Sequence, residues 1–188
     1  MYVGDAGVVE PSGRTRRTGV DVGLRYQLSD YLFFDADLNY TYARSIDEPE
    51  GADRIPLAPD LTAMCGLSMS LPMGLKGSLR SRFLKDRPAN EDNSLVAKGY
   101  LITDVNLTYS IKNLSFGFVV ENLFDVEWNE TQFATESRLQ NEPMPVEEIH
   151  FTPGTPFFLK GKVKFINLNS NLLFQKPVEN ISFDGLLC

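Results

Sequence analysis

Apolar and polar residues take turns along this chain in seven long runs, and a side-chain period of two admits only extended strands. Val20, Val22, Leu24, Tyr26 and Leu28 share one parity, and Asp21, Gly23, Arg25 and Gln27 the other. Leu32, Phe34, Ala36, Leu38, Tyr40 and Tyr42 then oppose Phe33, Asp35, Asp37, Asn39 and Thr41. The same pattern runs through 61–71, 75–83, 101–111, 114–121 and 157–165. Each run has one apolar face, with aromatic residues toward its ends in several, and one face that is polar or charged. No helical period competes over any long window.

The connections alternate in length. Ser29-Asp30, Pro72–Gly74 and Lys112-Asn113 are tight turns, whereas 44–60, 85–98 and 122–156 are long and polar. Short turns at one rim and long loops at the other describe an antiparallel up-and-down meander. The polar parity carries Asp21, Arg25, Asp35, Asp37, Lys76, Arg80, Arg82, Asp104, Glu121, Lys160, Lys162 and Lys164, which no dry interior accommodates. Two arrangements satisfy that face. In a soluble antiparallel β binding module, it meets water and the apolar face is packed as a core, with the long loops at one rim as the binding surface. In a transmembrane barrel it lines a wet lumen and the apolar face meets lipid. Strand length, the alternation of loop length and the lack of any helix to cover an apolar sheet favour lipid.

Composition excludes other classes. A net charge of −7 without a basic stripe argues against nucleic-acid binding. Cys65 and Cys188 form neither a disulfide framework nor a CxxC motif. No apolar run approaches the ~20 residues of a membrane helix, and the first residues lack the basic start and apolar stretch of a secretory leader. Membrane strands carry only the weaker alternating signal, and a chain beginning in mid-protein shows no leader. No GxSxG, HExxH, P-loop or dinucleotide glycine pattern is present, so an outer-membrane β-barrel enzyme lacks a nucleophile–base pair. No catalytic residue, metal set or cofactor is expected.

Five motifs, in order across residues 10–166, carry a family resemblance. They are Glu10-Pro11-Ser12-Gly13-Arg14-Thr15-Arg16-Arg17-Thr18-Gly19-Val20, Asn39-Tyr40-Thr41-Tyr42-Ala43, Ile55-Pro56-Leu57-Ala58-Pro59, Val120-Glu121-Asn122-Leu123-Phe124-Asp125 and Phe151-Thr152-Pro153-Gly154-Thr155-Pro156. The chain resembles the C-terminal barrel portion of TonB-dependent outer-membrane receptors. The resemblance implies about the last seven strands of a 22-stranded barrel in the bacterial outer membrane, with Met1 near the end of an extracellular loop. It also implies a plug domain and the other strands, absent from this stretch. TonB would act only through that absent N-terminal region, and a scarce small ligand such as siderophore-bound iron or cobalamin would be taken up. Such a fragment is not transport-competent alone, because open edges are intolerable in lipid.

Within that frame 1–166 is the partial barrel. Phe165 has the place of the aromatic residue that closes the last strand, and 167–188 is an atypical tail, expected to be read-through or frame-shifted sequence outside the barrel. Asn122 and Asp125 are expected to bond neighbouring backbone where a strand ends. Leu123, Phe124 and Trp128 are expected at the membrane interface, and Pro153 and Gly154 lead into the last strand. For ligand contact the candidates are Arg80 and Arg82 on the polar face, and Glu147, Glu148 and the lone His150 in the last loop. Asp35, Asp37 and Asn39 read most simply as wetted wall. Arg14, Arg16 and Arg17 could draw an anionic ligand or sit near anionic headgroups at the outer rim.

Overall fold

A computed structural model describes residues 2–3, 9–10, 13–138, 140–141, 143–165 and 180–185, of which 2–3, 9–10 and 180–185 are described as backbone only. Two short strands, β1 (Tyr2–Val3) and β2 (Val9–Glu10), pair with each other. The main sheet begins with β3 (Thr15–Ser29) and β4 (Leu32–Ser45) and continues with β5 (Leu61–Ser70) and β6 (Leu75–Leu84). A small hairpin, β7 (Arg87–Pro88) and β8 (Val96–Ala97), interrupts it. Then follow β9 (Tyr100–Ile111) and β10 (Leu114–Glu121), a second hairpin of β11 (Asn129–Ser137) and β12 (Val146–Pro153), and β13 (Phe158–Phe165). Last comes β14 (Asn180–Gly185), which lies within the segment 167–188 and pairs antiparallel with β13.

The seven alternating runs are therefore β3, β4, β5, β6, β9, β10 and β13, in sequential antiparallel order within one sheet of eight strands. Register joins their parities. Val22 faces Leu38, Leu38 faces Ala63, and Ala63 faces Phe83, which faces Leu101. Leu107 faces Phe118, and Phe116 faces Val163. Each strand's apolar set thus falls on one continuous face, which a slip of one residue in any pair would break.

That face is uncovered. Leu38 is 45% exposed and Phe118 52%, and none of Leu32, Phe34, Leu38 and Phe116 is buried. Among the described residues the buried apolar side chains are only Ala43, Ala89, Ala97 and Ile102. A soluble sheet of this size would hide its large apolar residues in a core. Here the ladder of backbone hydrogen bonds orders the sheet, and no second layer of described residues is packed against it. Among the described residues no helix is long and apolar enough to cross a membrane, which says nothing of strands.

Turn chemistry fixes one rim. Between β5 and β6, Gly74 has a φ of +86°, and a Cβ there would come 2.2 Å from the Ser110 carbonyl oxygen, so only glycine fits. The β3–β4 turn falls one residue later than its sequence suggests, at Asp30-Tyr31, because a bulge between Gln27 and Ser29 lengthens β3. At the other rim the long loops are more ordered than their sequence suggests. The stretch 122–156, without a clear period, contains the β11–β12 hairpin.

Candidate functional site: the polar face and the loops above it

The polar parities also align into one surface. Arg25 pairs with Asp37 at 2.8 Å, Arg80 with Asp35 at 3.4 Å, and Arg82 with Asp104 at 3.2 Å. Asn39 donates a hydrogen bond to Asp21. Asp35, Asp37 and Asn39 are thus occupied within the wall. Gly66 is buried because the Asp35 carboxylate lies across it, where a Cβ would come 2.6 Å from an oxygen.

Arg80 and Arg82 line a cleft of about 610 Å³ on this face. Its walls are β6, β9 and β10, with Asp104, Asn106 and Glu121, and its roof is made by the two ends of the last loop, with Asn122, Trp128 and Glu130 from one and Thr155 from the other. The cleft presents both cations and carboxylates, a lining suited to a polar or zwitterionic surface rather than a greasy one. Ile102, at the cleft's edge, is fully buried beneath that roof.

Asn122 builds the roof. It ends β10 with a φ of +50°, a conformation asparagine tolerates better than most residues, and it is only 1% exposed. Its Nδ2 donates to the carbonyl oxygens of Val126 at 2.9 Å and Thr155 at 3.1 Å, and its Oδ1 accepts from the Val126 amide at 2.9 Å. Its own amide donates to Asp104 at 2.9 Å, which ties the roof to the wall ion pair. Asp125 accepts from the Phe157 amide at 2.9 Å, and the Leu123 amide donates to the Thr103 carbonyl at 2.7 Å. The expectation that Asn122 and Asp125 hold backbone at the strand end is met. Together they bring both ends of a loop of more than thirty residues to one point.

Phe124 is 69% exposed and Leu123 half-buried. Trp128 differs from the expectation that grouped it with them. It turns onto the polar face, packs edge-on against Tyr100 with ring centroids 4.9 Å apart, and donates to the Thr155 carbonyl at 3.0 Å. Gly154 makes room for it: a Cβ would stand 2.1 Å from the indole, and the Gly154 amide donates to the Trp128 carbonyl at 2.8 Å. Pro153 closes β12 just before, and Phe165 ends β13 opposite Leu114 on the apolar face.

Glu147, Glu148 and His150 sit on β12, apart from the lining of the cleft. Glu147 accepts from Asn90 at 3.0 Å, and Glu148 accepts from Ser137 at 2.6 Å. His150 stacks on Phe133, its direct cross-strand partner, with centroids 5.8 Å apart. The two sets of candidates thus occupy different surfaces. Among the described residues no three His, Cys, Asp or Glu side chains gather as a metal site.

The long loops interlock, which the sequence did not suggest. Gln132 of β11, buried, accepts from the Lys98 amide at 2.9 Å and donates to the Lys98 carbonyl at 2.7 Å. The Arg54 amide donates to the Glu91 carbonyl at 3.1 Å, and the Leu57 amide to the Pro88 carbonyl at 2.8 Å. Arg87 is 9% exposed in this layer, and burial lowers its guanidinium pKa, opposed by Tyr100 and Asp86. At the rim, hydrogen bonding to Arg14 lowers the pKa of Asp47. A sequence signal for β11 exists in hindsight: Thr131, Phe133 and Thr135 alternate with Glu130, Gln132, Ala134 and Glu136.

The family model described as TonB dependent receptor-like, beta-barrel, matches residues 3–123. Among solved structures, the ferric yersiniabactin uptake receptor FyuA from Yersinia pestis is similar, with a TM-score of 0.57 and 19% sequence identity. That likeness covers 73% of this chain and 22% of FyuA, and at this identity it shows the fold. Among curated proteins none matches the chain.

Proposed function

The chain belongs to the TonB dependent receptor-like β-barrel family, non-enzymatic transporters of the outer membrane, and from that membership we propose that it forms the late wall strands and outer loops of such a receptor. The observation that carries this reading is the single apolar face shared by all seven alternating strands and left without a protein layer over it among the described residues. Lipid covers that face. The opposite, ion-paired face lines a lumen occupied by the receptor's plug domain, and the sheet continues from its β3 edge into the remaining strands of a 22-stranded wall. The chain ends its barrel portion near Phe165, and 167–188 is an appended segment whose β14 runs along β13.

In this reading the cargo is a scarce small ligand, siderophore-bound iron or cobalamin being the classes considered, and its uptake is driven through TonB by the receptor's N-terminal region. FyuA is a ferric yersiniabactin uptake receptor. Arg80 and Arg82 meet the plug or passing ligand in the cleft, while Glu147, Glu148 and His150 meet the ligand first, at the outer hairpin. Fractionation tests the reading. Within its whole barrel the chain is expected in the outer-membrane fraction, resistant to carbonate extraction, and by itself it is expected to aggregate when detergent is withheld. A monodisperse monomer in plain buffer, with Leu38 and Phe116 protected from solvent, would replace it with the soluble binding module.

A further inference from the structure

We propose that the apolar face of β3–β6 and β9 holds one anionic, phosphate-bearing membrane lipid, with its headgroup on Arg16, Arg44 and Arg54 and an acyl chain in the groove beneath them. This rests on the reading that the apolar face meets lipid.

The three arginines stand side by side. Arg16 is the direct ladder partner of Arg44, and Arg44 bridges in turn to Arg54. Directly opposed residues share a face, and Arg16 and Arg44 have the parity of Val20 and Leu38, so the row lies above the apolar surface. Like charges placed opposite one another repel unless an anion intervenes. Asp53 approaches Arg44 Nε at 3.5 Å, and Arg44 also lies over the Tyr42 ring at 4.1 Å. Of the other carboxylates paired at this rim, Asp47 is taken by Arg14 at 2.7 Å and Asp60 by Lys85 at 3.9 Å. Arg16 and Arg54 have no ion pair among the described residues. The row therefore carries two uncompensated cations at the level where a lipid phosphate would lie.

Below it the face is hollowed. Ala36, Cys65 and Ser81 follow one another across three strands, and with Ala63 they form a floor of small side chains between Leu38 and Phe83. The groove has a volume of about 320 Å³. A second hollow on this face is smaller, about 140 Å³, and has no cation row above it. Depth fits the length of a lipid. Arg44 and Leu38 are six residues apart, about 20 Å along a strand. At a tilt of about 40° that is about 15 Å of depth, half of a ~30 Å hydrocarbon core. A phosphate on the row places its chain in the groove within one leaflet.

Native mass spectrometry tests this with the full chain in detergent micelles doped with phosphatidylglycerol or with phosphatidylcholine of the same acyl length. One phosphatidylglycerol per chain is expected to be retained, at least tenfold over phosphatidylcholine. Arg16→Gln with Arg54→Gln should abolish that preference. Ala63→Phe should lower retention by filling the groove, while Leu79→Phe, on the same face but outside it, should not. If Ala63→Phe fails to fold by circular dichroism, Cys65→Leu fills the same floor. Equal retention of the two lipids, or an unchanged preference in the double arginine variant, overturns the proposal while the membrane reading stands. A chain soluble without detergent overturns both.

Discussion

The wall and the loop layer are held together in opposite ways. In the wall, order comes from ladder hydrogen bonds, and the side chains are divided only by which medium they face. Its ion pairs, such as Arg82–Asp104, are substantially exposed and each worth at most ~1 kcal/mol. Most of the buried residues of the described chain lie elsewhere: Arg87, Ala89, Asn90, Ala97, Asn122 and Gln132 belong to the loops and strand ends at one rim. There, irregular backbone is held by amide side chains reaching main-chain groups. The wall depends on a pattern, and the loop layer depends on individual residues.

Substitutions sharpen that contrast. Asn122→Ala has the largest expected effect, because it strands the Val126 amide and carbonyl and leaves the Thr155 carbonyl with Trp128 Nε1 alone. At 1–3 kcal/mol for each unsatisfied group, the local cost is on the order of 4 kcal/mol. Hydrogen exchange should then show residues 126–156 opening while β9 and β10 stay protected. In the wall, Leu107→Arg should cost about 2–4 kcal/mol in lipid, whereas Asn106→Lys, one residue away on the polar face, should cost little. Equal effects, read from urea unfolding in vesicles, would erase the distinction between the faces. Gln132→Ala frees both main-chain groups of Lys98, for about 2 kcal/mol, and should raise protease cutting of 85–98 together with β11. Cutting of one without the other would show that the loops do not act as a unit.

The smallest effect concerns pH. Hydrogen bonding to Arg14 lowers the pKa of Asp47 in the folded chain. A carboxylate so placed gives its full contribution above its ordinary, unfolded value and loses it as pH falls through the lowered one. The Arg14–Asp47 contact should therefore persist below the usual carboxylate range and dissolve in stronger acid. Arg14→Gln should move the Asp47 midpoint up in a carbon-13 titration.

The wall was legible because alternation records a choice between two media at every residue, and Val22, Leu38, Ala63, Phe83 and Leu101 could be assigned a face one strand at a time. Register then joined them without exception. The strand-end role of Asn122 and Asp125 was legible from residue chemistry. The β11–β12 hairpin was not, because the one side chain that β11 buries, Gln132, is polar and held by main-chain hydrogen bonds, so hydropathy gives little sign of it; Thr135 opposes Glu148, and Glu136 opposes Glu147. Nor was the inward turn of Trp128, which depends on Gly154, twenty-six residues away in sequence. Arg80 and Arg82 were placed correctly on the polar face, but their separation from Glu147, Glu148 and His150 depends on loop geometry that no local pattern encodes.

Spin labels placed one at a time from Phe33 to Thr41 in the whole barrel inserted in vesicles test the lipid contact of the apolar face most directly. Collision with oxygen should peak at positions 34, 36, 38 and 40, and collision with a water-soluble nickel chelate at positions 35, 37 and 39. Labels at 34, 36 and 38 shielded from both reagents would mean that protein covers that face, and the receptor-wall assignment would fail.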